Sequence, residues 1–119
     1  MIQLQLPPVL RRWAFWLCVL TVLVLALAPL SAPLPSTGWD KANHALAFFV
    51  MALVGRWAYP RGTVTVLLLG LFAYGGLIEV LQSFTPDRSC EMADWAADCV
   101  GLALAWCTMR LALLYTRTD

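Results

Sequence analysis

Charge is what this sequence has least of. Eight Lys and Arg and seven Asp and Glu make up 13% of 119 residues, about half the share found in an average soluble domain. Lysine and histidine occur once each, as Lys41 and His44. A net charge of +1 with no basic run excludes a nucleic-acid partner, because neutralising phosphates takes a patch of Lys and Arg. The chain has no glycine-rich phosphate loop of the P-loop or dinucleotide type, and no G-x-S-x-G setting for a nucleophilic serine. A single histidine also rules out the paired-histidine helix motif of the zinc proteases, so no metal and no cofactor are expected. No strand-like alternation runs through the chain, which leaves only helices as a way to satisfy the backbone inside lipid.

What is abundant is apolar: 61% hydrophobic residues and a mean hydropathy of +0.75. Residues 13–30 carry no charge, and eighteen helical residues reach about 27 Å, close to the thickness of a bilayer core. Further apolar stretches cover about 42–59, 64–84 and 94–115. Pro29, Pro33 and Pro35 end the first, Pro60 separates the second from the third, and the polar run 86–91 precedes the fourth. The expected fold is all-α, a single-domain four-helix transmembrane bundle. Arg11 and Arg12 before the first helix, with Leu30-Ser31-Ala32 after it, resemble a cleavable signal peptide. The apolar run is long for that purpose and Leu30 poorly suits a cut, so a retained first span is expected.

Arginine sets the expected orientation. Arg11, Arg12, Arg56, Arg61, Arg110 and Arg117 fall on one side of an even number of crossings, and only Lys41 and Arg88 fall on the other. The positive-inside rule then places both termini in the cytoplasm, in a multi-pass protein of the inner (cytoplasmic) membrane. Trp13, Trp16, Trp57 and Tyr59 would form an inner aromatic belt, and Trp39 and Trp95 an outer one.

The ionisable residues gather at the outer level. Asp40, Lys41 and His44 open the second helix, Glu79 and Gln82 lie near the end of the third, Arg88 and Glu91 sit in the loop, and Asp94 and Asp98 open the fourth. At 100° per residue, Lys41, His44, Phe48 and Gly55 share one face. Phe72, Gly75, Glu79 and Gln82 share another, and Asp94, Asp98, Gly101, Ala105 and Thr108 a third. A charge at membrane depth costs at least about 2.5–3.5 kcal/mol, so these faces are expected to meet each other, helped by their small residues. Cys18 and Cys107 are expected in the core.

Asp40-Lys41-x-x-His44-x-x-x-Phe48, Glu79-x-x-Gln82-x-Phe84-x-Pro86-x-Arg88 and Asp94-x-x-x-Asp98-x-x-Gly101 together resemble the VanZ-like family of small membrane proteins, over about residues 39–105. Position 98 is Asp where the family pattern usually has Asn, and Asp87 stands where Gly commonly precedes the arginine. The family takes its name from a teicoplanin-resistance protein. The resemblance implies a membrane fold and an association with the cell envelope, and it supplies no reaction.

The reading that follows is an outer polar cavity formed by Lys41, His44, Glu79, Gln82, Arg88, Asp94 and Asp98. It would bind an anionic lipid-linked or glycan-linked ligand, such as a cell-wall precursor or a glycopeptide. Lys41, Arg88 and His44 would be the anion contacts and the carboxylates their orienting partners. Two alternatives stand beside it. One is a membrane hydrolase or transferase with His44 or Glu79 as general base. The other is a structural subunit in which the same groups are an internal salt-bridge network. Lys41 snorkelling to the interface, Arg88 bonding lipid headgroups and Asp40 serving the helix start are the corresponding bland accounts.

Overall fold

The computed structural model describes residues 5–29, 38–86 and 91–118. Four helices account for nearly all of them: α1 (Pro8–Leu27), α2 (Asp40–Ala58), α3 (Val64–Gln82) and α4 (Met92–Arg117). They form an elongated bundle of 51 × 25 × 25 Å. Helix α1 begins at Pro8, five residues before the expected Trp13. Proline is well suited to a first helical turn, where its missing N–H would have no partner and its fixed φ is already helical. Arg11 and Arg12 therefore belong to the helix rather than to its approach.

Pairings between helix ends fix the directions. The Lys41 and His44 side chains of α2 meet Asp94 and Asp98 of α4, so these helices start at the same end. Gln82, the last residue of α3, donates from Nε2 to the Ala26 carbonyl near the end of α1 at 2.8 Å. Arg11 near the start of α1 donates to the Trp57 carbonyl at the end of α2 at 3.2 Å. Directions thus alternate along the chain.

Helix α2 is the hub: it touches all three others, most extensively α4, whereas among the described residues α1 and α4 do not meet. Its buried positions, Phe48, Met51, Ala52, Gly55 and Ala58, follow the three-to-four spacing of one helix face. Helix α3 buries Leu71, Gly75, Ile78, Glu79 and Gln82, and α4 buries Asp94, Ala97, Asp98, Gly101, Leu102 and Ala105. A very close crossing falls at Gly101: a Cβ built there would lie 2.1 Å from the Ala45 carbonyl oxygen. Only glycine lets these two backbones come so near, as small residues do in membrane bundles.

Three helices, α1, α3 and α4, are long and apolar enough to cross a membrane. Helix α2 falls short of that measure, since Lys41, Asn43, His44 and Arg56 lower its hydropathy. Its central place explains why it can carry Lys41 and His44, whose side chains meet α4, while Arg56 bonds the Pro60 and Gly62 carbonyls beyond the helix end.

Three expectations are corrected. Phe72 shares a helix face with Gly75 but is 41% exposed, lying outside the seam as a stacked partner of Trp95. Thr108 is exposed and bonds the Leu104 carbonyl of its own helix, because the α2–α4 seam ends near Ala105. Cys107 is exposed, one step round the helix from that seam, whereas Cys18 packs partly buried against the core.

Candidate functional site

Three short polar turns make the site. The first turns of α2 present Lys41 and His44, the last turn of α3 presents Glu79, and the first two turns of α4 present Asp94 and Asp98. Alternating helix direction brings all of them to one end. Neither Asp40 nor Asp94 is a side-chain N-cap; both are first-turn acids, favourably placed toward the positive end of the helix dipole. Asp98 is completely buried, Glu79 is 2% exposed and Asp94 5%.

The groups sort into an outer and an inner tier. In the outer tier the Lys41 ammonium donates to Asp94 and to Glu91 Oε2, the latter at 2.6 Å, with Asp40 at 4.0 Å. Glu91 is about half exposed and Asp94 is buried. In the inner tier His44 Nδ1 lies 2.9 Å from Asp98 Oδ1. The other ring nitrogen, Nε2, stands 3.7 Å from Asp94 and 3.9 Å from Asp40, beyond hydrogen-bond reach of both. Glu79 Oε2 accepts the Glu91 backbone N–H at 3.1 Å, tying α3 to the start of α4.

Two oxygens are left over. Glu79 Oε1 and Asp98 Oδ2 are buried and, among the described residues, have no hydrogen-bond partner. Buried polar atoms are paired in the great majority of cases. One atom each from His44, Glu79 and Asp98 lies within 4.8 Å of the others, and a second such group comprises Asp40, His44 and Asp94.

Of the residues expected at the site, Lys41, His44, Glu79, Asp94 and Asp98 are brought together. Gln82 is buried at the same level but its amide is spent on the Ala26 carbonyl of α1. Arg88 lies outside the described residues. Glu91, named in the outer band but not among the expected cavity residues, joins the cluster as a Lys41 partner. The signal in the sequence was its place in that band, directly before the fourth helix; the structure engages its carboxylate with Lys41 and its backbone N–H with Glu79. Trp95, expected in an aromatic belt, roofs the α3–α4 contact: its ring lies over Gly75 and Gly76 and its Nε1 donates to the Phe72 carbonyl at 3.0 Å.

The opposite end is built differently. Trp16 Nε1 donates to the Tyr59 hydroxyl at 2.9 Å, Arg12 lies 5.3 Å over the Tyr59 ring, and Arg11 lies 6.0 Å over Trp57. Between α1, α2 and α3 an apolar crevice of about 280 Å³ is lined by Phe15, Gly55, Tyr59 and Leu67 among others. None of the expected site residues borders it.

A helical membrane protein with a buried cluster of acids and one imidazole at a single end is therefore the class that fold and site define. The chain belongs to the VanZ/LLP1 family, whose model matches residues 24–114. Comparisons with curated proteins and with solved structures give no match.

Proposed function

We propose that this VanZ/LLP1-family protein is a four-span protein of the cytoplasmic membrane, with both termini inside. At its outer end it binds the anionic headgroup of a lipid-linked or glycan-linked envelope ligand. The arginines at the end holding the α1 start and the α4 finish support that orientation through the positive-inside rule. One observation carries the binding reading: the Lys41 ammonium is shared between a buried carboxylate, Asp94, and an exposed one, Glu91. Asp94 fixes the ammonium in place. Glu91 occupies the position that a ligand phosphate or carboxylate would take, and an exposed ion pair of this kind is worth only about 0–1 kcal/mol, so an incoming anion can displace it. His44 and the carboxylates below form the polar floor, and Arg88 is the second cation for the same headgroup. In the cell this corresponds to altered exposure of an envelope ligand, and to the reduced teicoplanin susceptibility associated with the family's founding member.

Binding is tested by titrating a polyprenyl diphosphate, with the neutral polyprenol as reference, against the protein in lipid nanodiscs. Lys41→Gln should abolish the preference for the diphosphate, and Glu91→Gln should strengthen it. An unchanged preference in both variants overturns the reading.

The orientation of His44 favours a second function. Asp98 holds Nδ1, which fixes the ring and directs Nε2 toward Asp94 and Asp40, and a carboxylate-held imidazole of this kind can serve as a general base. Hydrolysis of a lipid-linked phosphate or ester by the purified protein, lost in a folded His44→Gln variant, would establish it. Absence of turnover in the parent protein would leave binding alone.

A further inference from the structure

Among the described residues, the carboxylates of this cluster outnumber the cations that face them. Around Lys41 and His44 stand Asp40, Glu79, Glu91, Asp94 and Asp98. Lys41 is engaged by Asp94 and Glu91, with Asp40 beside it, and no ion pair joins it to Glu79 or Asp98. Among the described residues, the deeper pair has one imidazole between them, where α2, α3 and α4 meet. If the cluster served only to fix helix register, its buried oxygens would each accept from a donor within it, since a half-satisfied buried network costs more than an apolar core. Instead Glu79 Oε1 and Asp98 Oδ2 are both unpartnered, although the two side chains are among the most buried polar groups described. The third unpartnered buried atom, Arg11 Nε, is at the far end.

We propose that His44, Glu79 and Asp98, one from each of α2, α3 and α4, hold a divalent first-row cation such as Mn²⁺ or Zn²⁺. Mixed imidazole and carboxylate donors suit such ions, and three protein ligands leave positions open for water or for a ligand oxygen. The geometry selects this trio over Asp40, His44 and Asp94. Asp94 is neutralised by Lys41 and Asp40 is exposed, whereas the two unpartnered oxygens belong to Glu79 and Asp98. Gly75 contributes space: a Cβ there would stand 2.8 Å from Asp98 Oδ2, the unpartnered oxygen itself. Asp98 supplies a second negative charge beside Glu79, which favours a divalent cation. A sequence with one histidine gave no reason to expect a metal; juxtaposition of three helices provides one.

This inference rests on the reading of the same end as a ligand site and deepens it. A cation beside Lys41 would give a bound phosphate a second positive partner, and would place the free coordination positions where the headgroup enters.

The experiment is Mn²⁺ binding to the full chain in detergent after exhaustive chelation, followed by loss of the free-ion electron paramagnetic resonance signal, with Zn²⁺ as competitor. One Mn²⁺ per chain, displaced by Zn²⁺, is the expected result. Asp98→Asn, which keeps the side-chain shape, and Glu79→Gln should each weaken binding at least about tenfold, while Asp40→Asn leaves it unchanged. Gly75→Ala retains every ligand group but crowds Asp98 Oδ2, and should weaken binding as well. Absence of saturable binding up to about 1 mM Mn²⁺ or Zn²⁺, a range that includes even weak sites, overturns the inference, as does equal affinity in Asp98→Asn. Binding lost in Asp40→Asn but retained in Asp98→Asn would overturn the choice of trio. Diphosphate recognition that persists in the metal-free protein and in Asp98→Asn, with no Mn²⁺ bound, removes the cation and leaves the headgroup reading intact. Mn²⁺ bound without diphosphate recognition does the reverse.

Discussion

The two ends of this bundle handle charge in opposite ways. At the end that holds the α1 start and the α2 finish, Arg11 and Arg12 lie over aromatic rings and Arg56 donates to the Pro60 and Gly62 carbonyls. Those cations sit at the rim, half-buried at Arg11 and Arg56 and exposed at Arg12, and their long stems cover apolar surface. At the other end, acids and one histidine are drawn inside and depend on each other. Peripheral charge can be redistributed at little cost. Interior charge cannot, because each group is desolvated and its stability depends on a specific partner.

The sharpest way to break that contrast is at the interior end. His44→Ala leaves Asp98 buried and unpaired, and should destabilise the protein by about 3–5 kcal/mol, read as loss of thermal stability in detergent; His44→Gln, whose amide can still donate to Asp98, should recover most of it. Gly101→Ala comes next. Its methyl group meets the Ala45 carbonyl, so α2 and α4 must separate, for about 1–3 kcal/mol or more. Gln82→Leu removes the amide that satisfies the Ala26 carbonyl of α1, and should cost about 0.6–1.7 kcal/mol in the same measurement. At the peripheral end Arg12→Ala gives up a ring contact worth about 0.5–1 kcal/mol, with a melting temperature close to the parent's. Equal losses from His44→Ala and Arg12→Ala would remove the distinction between the ends altogether.

Much of the bundle was legible beforehand, and for a plain reason. Apolar runs and prolines define membrane-length helices, and the described helices start and stop within a few residues of those runs except at Pro8. The α4 stripe of Asp94, Asp98, Gly101 and Ala105 reappears as its buried face, because at membrane depth a carboxylate has nowhere to go but inward. Face membership alone misassigned Phe72 and Thr108. Angular position tells which side of a helix a residue occupies, not how far along that side a neighbour extends. The site was partly readable: its band of residues was evident, its internal pairing was not. Nothing in the spacing distinguishes Asp94 from Asp98 as the partner of His44, assigns Lys41 to Asp94 and Glu91, or diverts Gln82 to α1.

The sequence by itself determined that this chain is helical, apolar enough for lipid, and charged at two levels, since those properties depend only on composition and on neighbours a few residues away. Tertiary structure alone decided which acid meets which base and which oxygens are left without one. Such partners sit some fifty residues apart, as His44 and Asp98 do, and hydrogen bonds act over about 3 Å. Their choice therefore depends on helix crossing and register, which no single segment encodes.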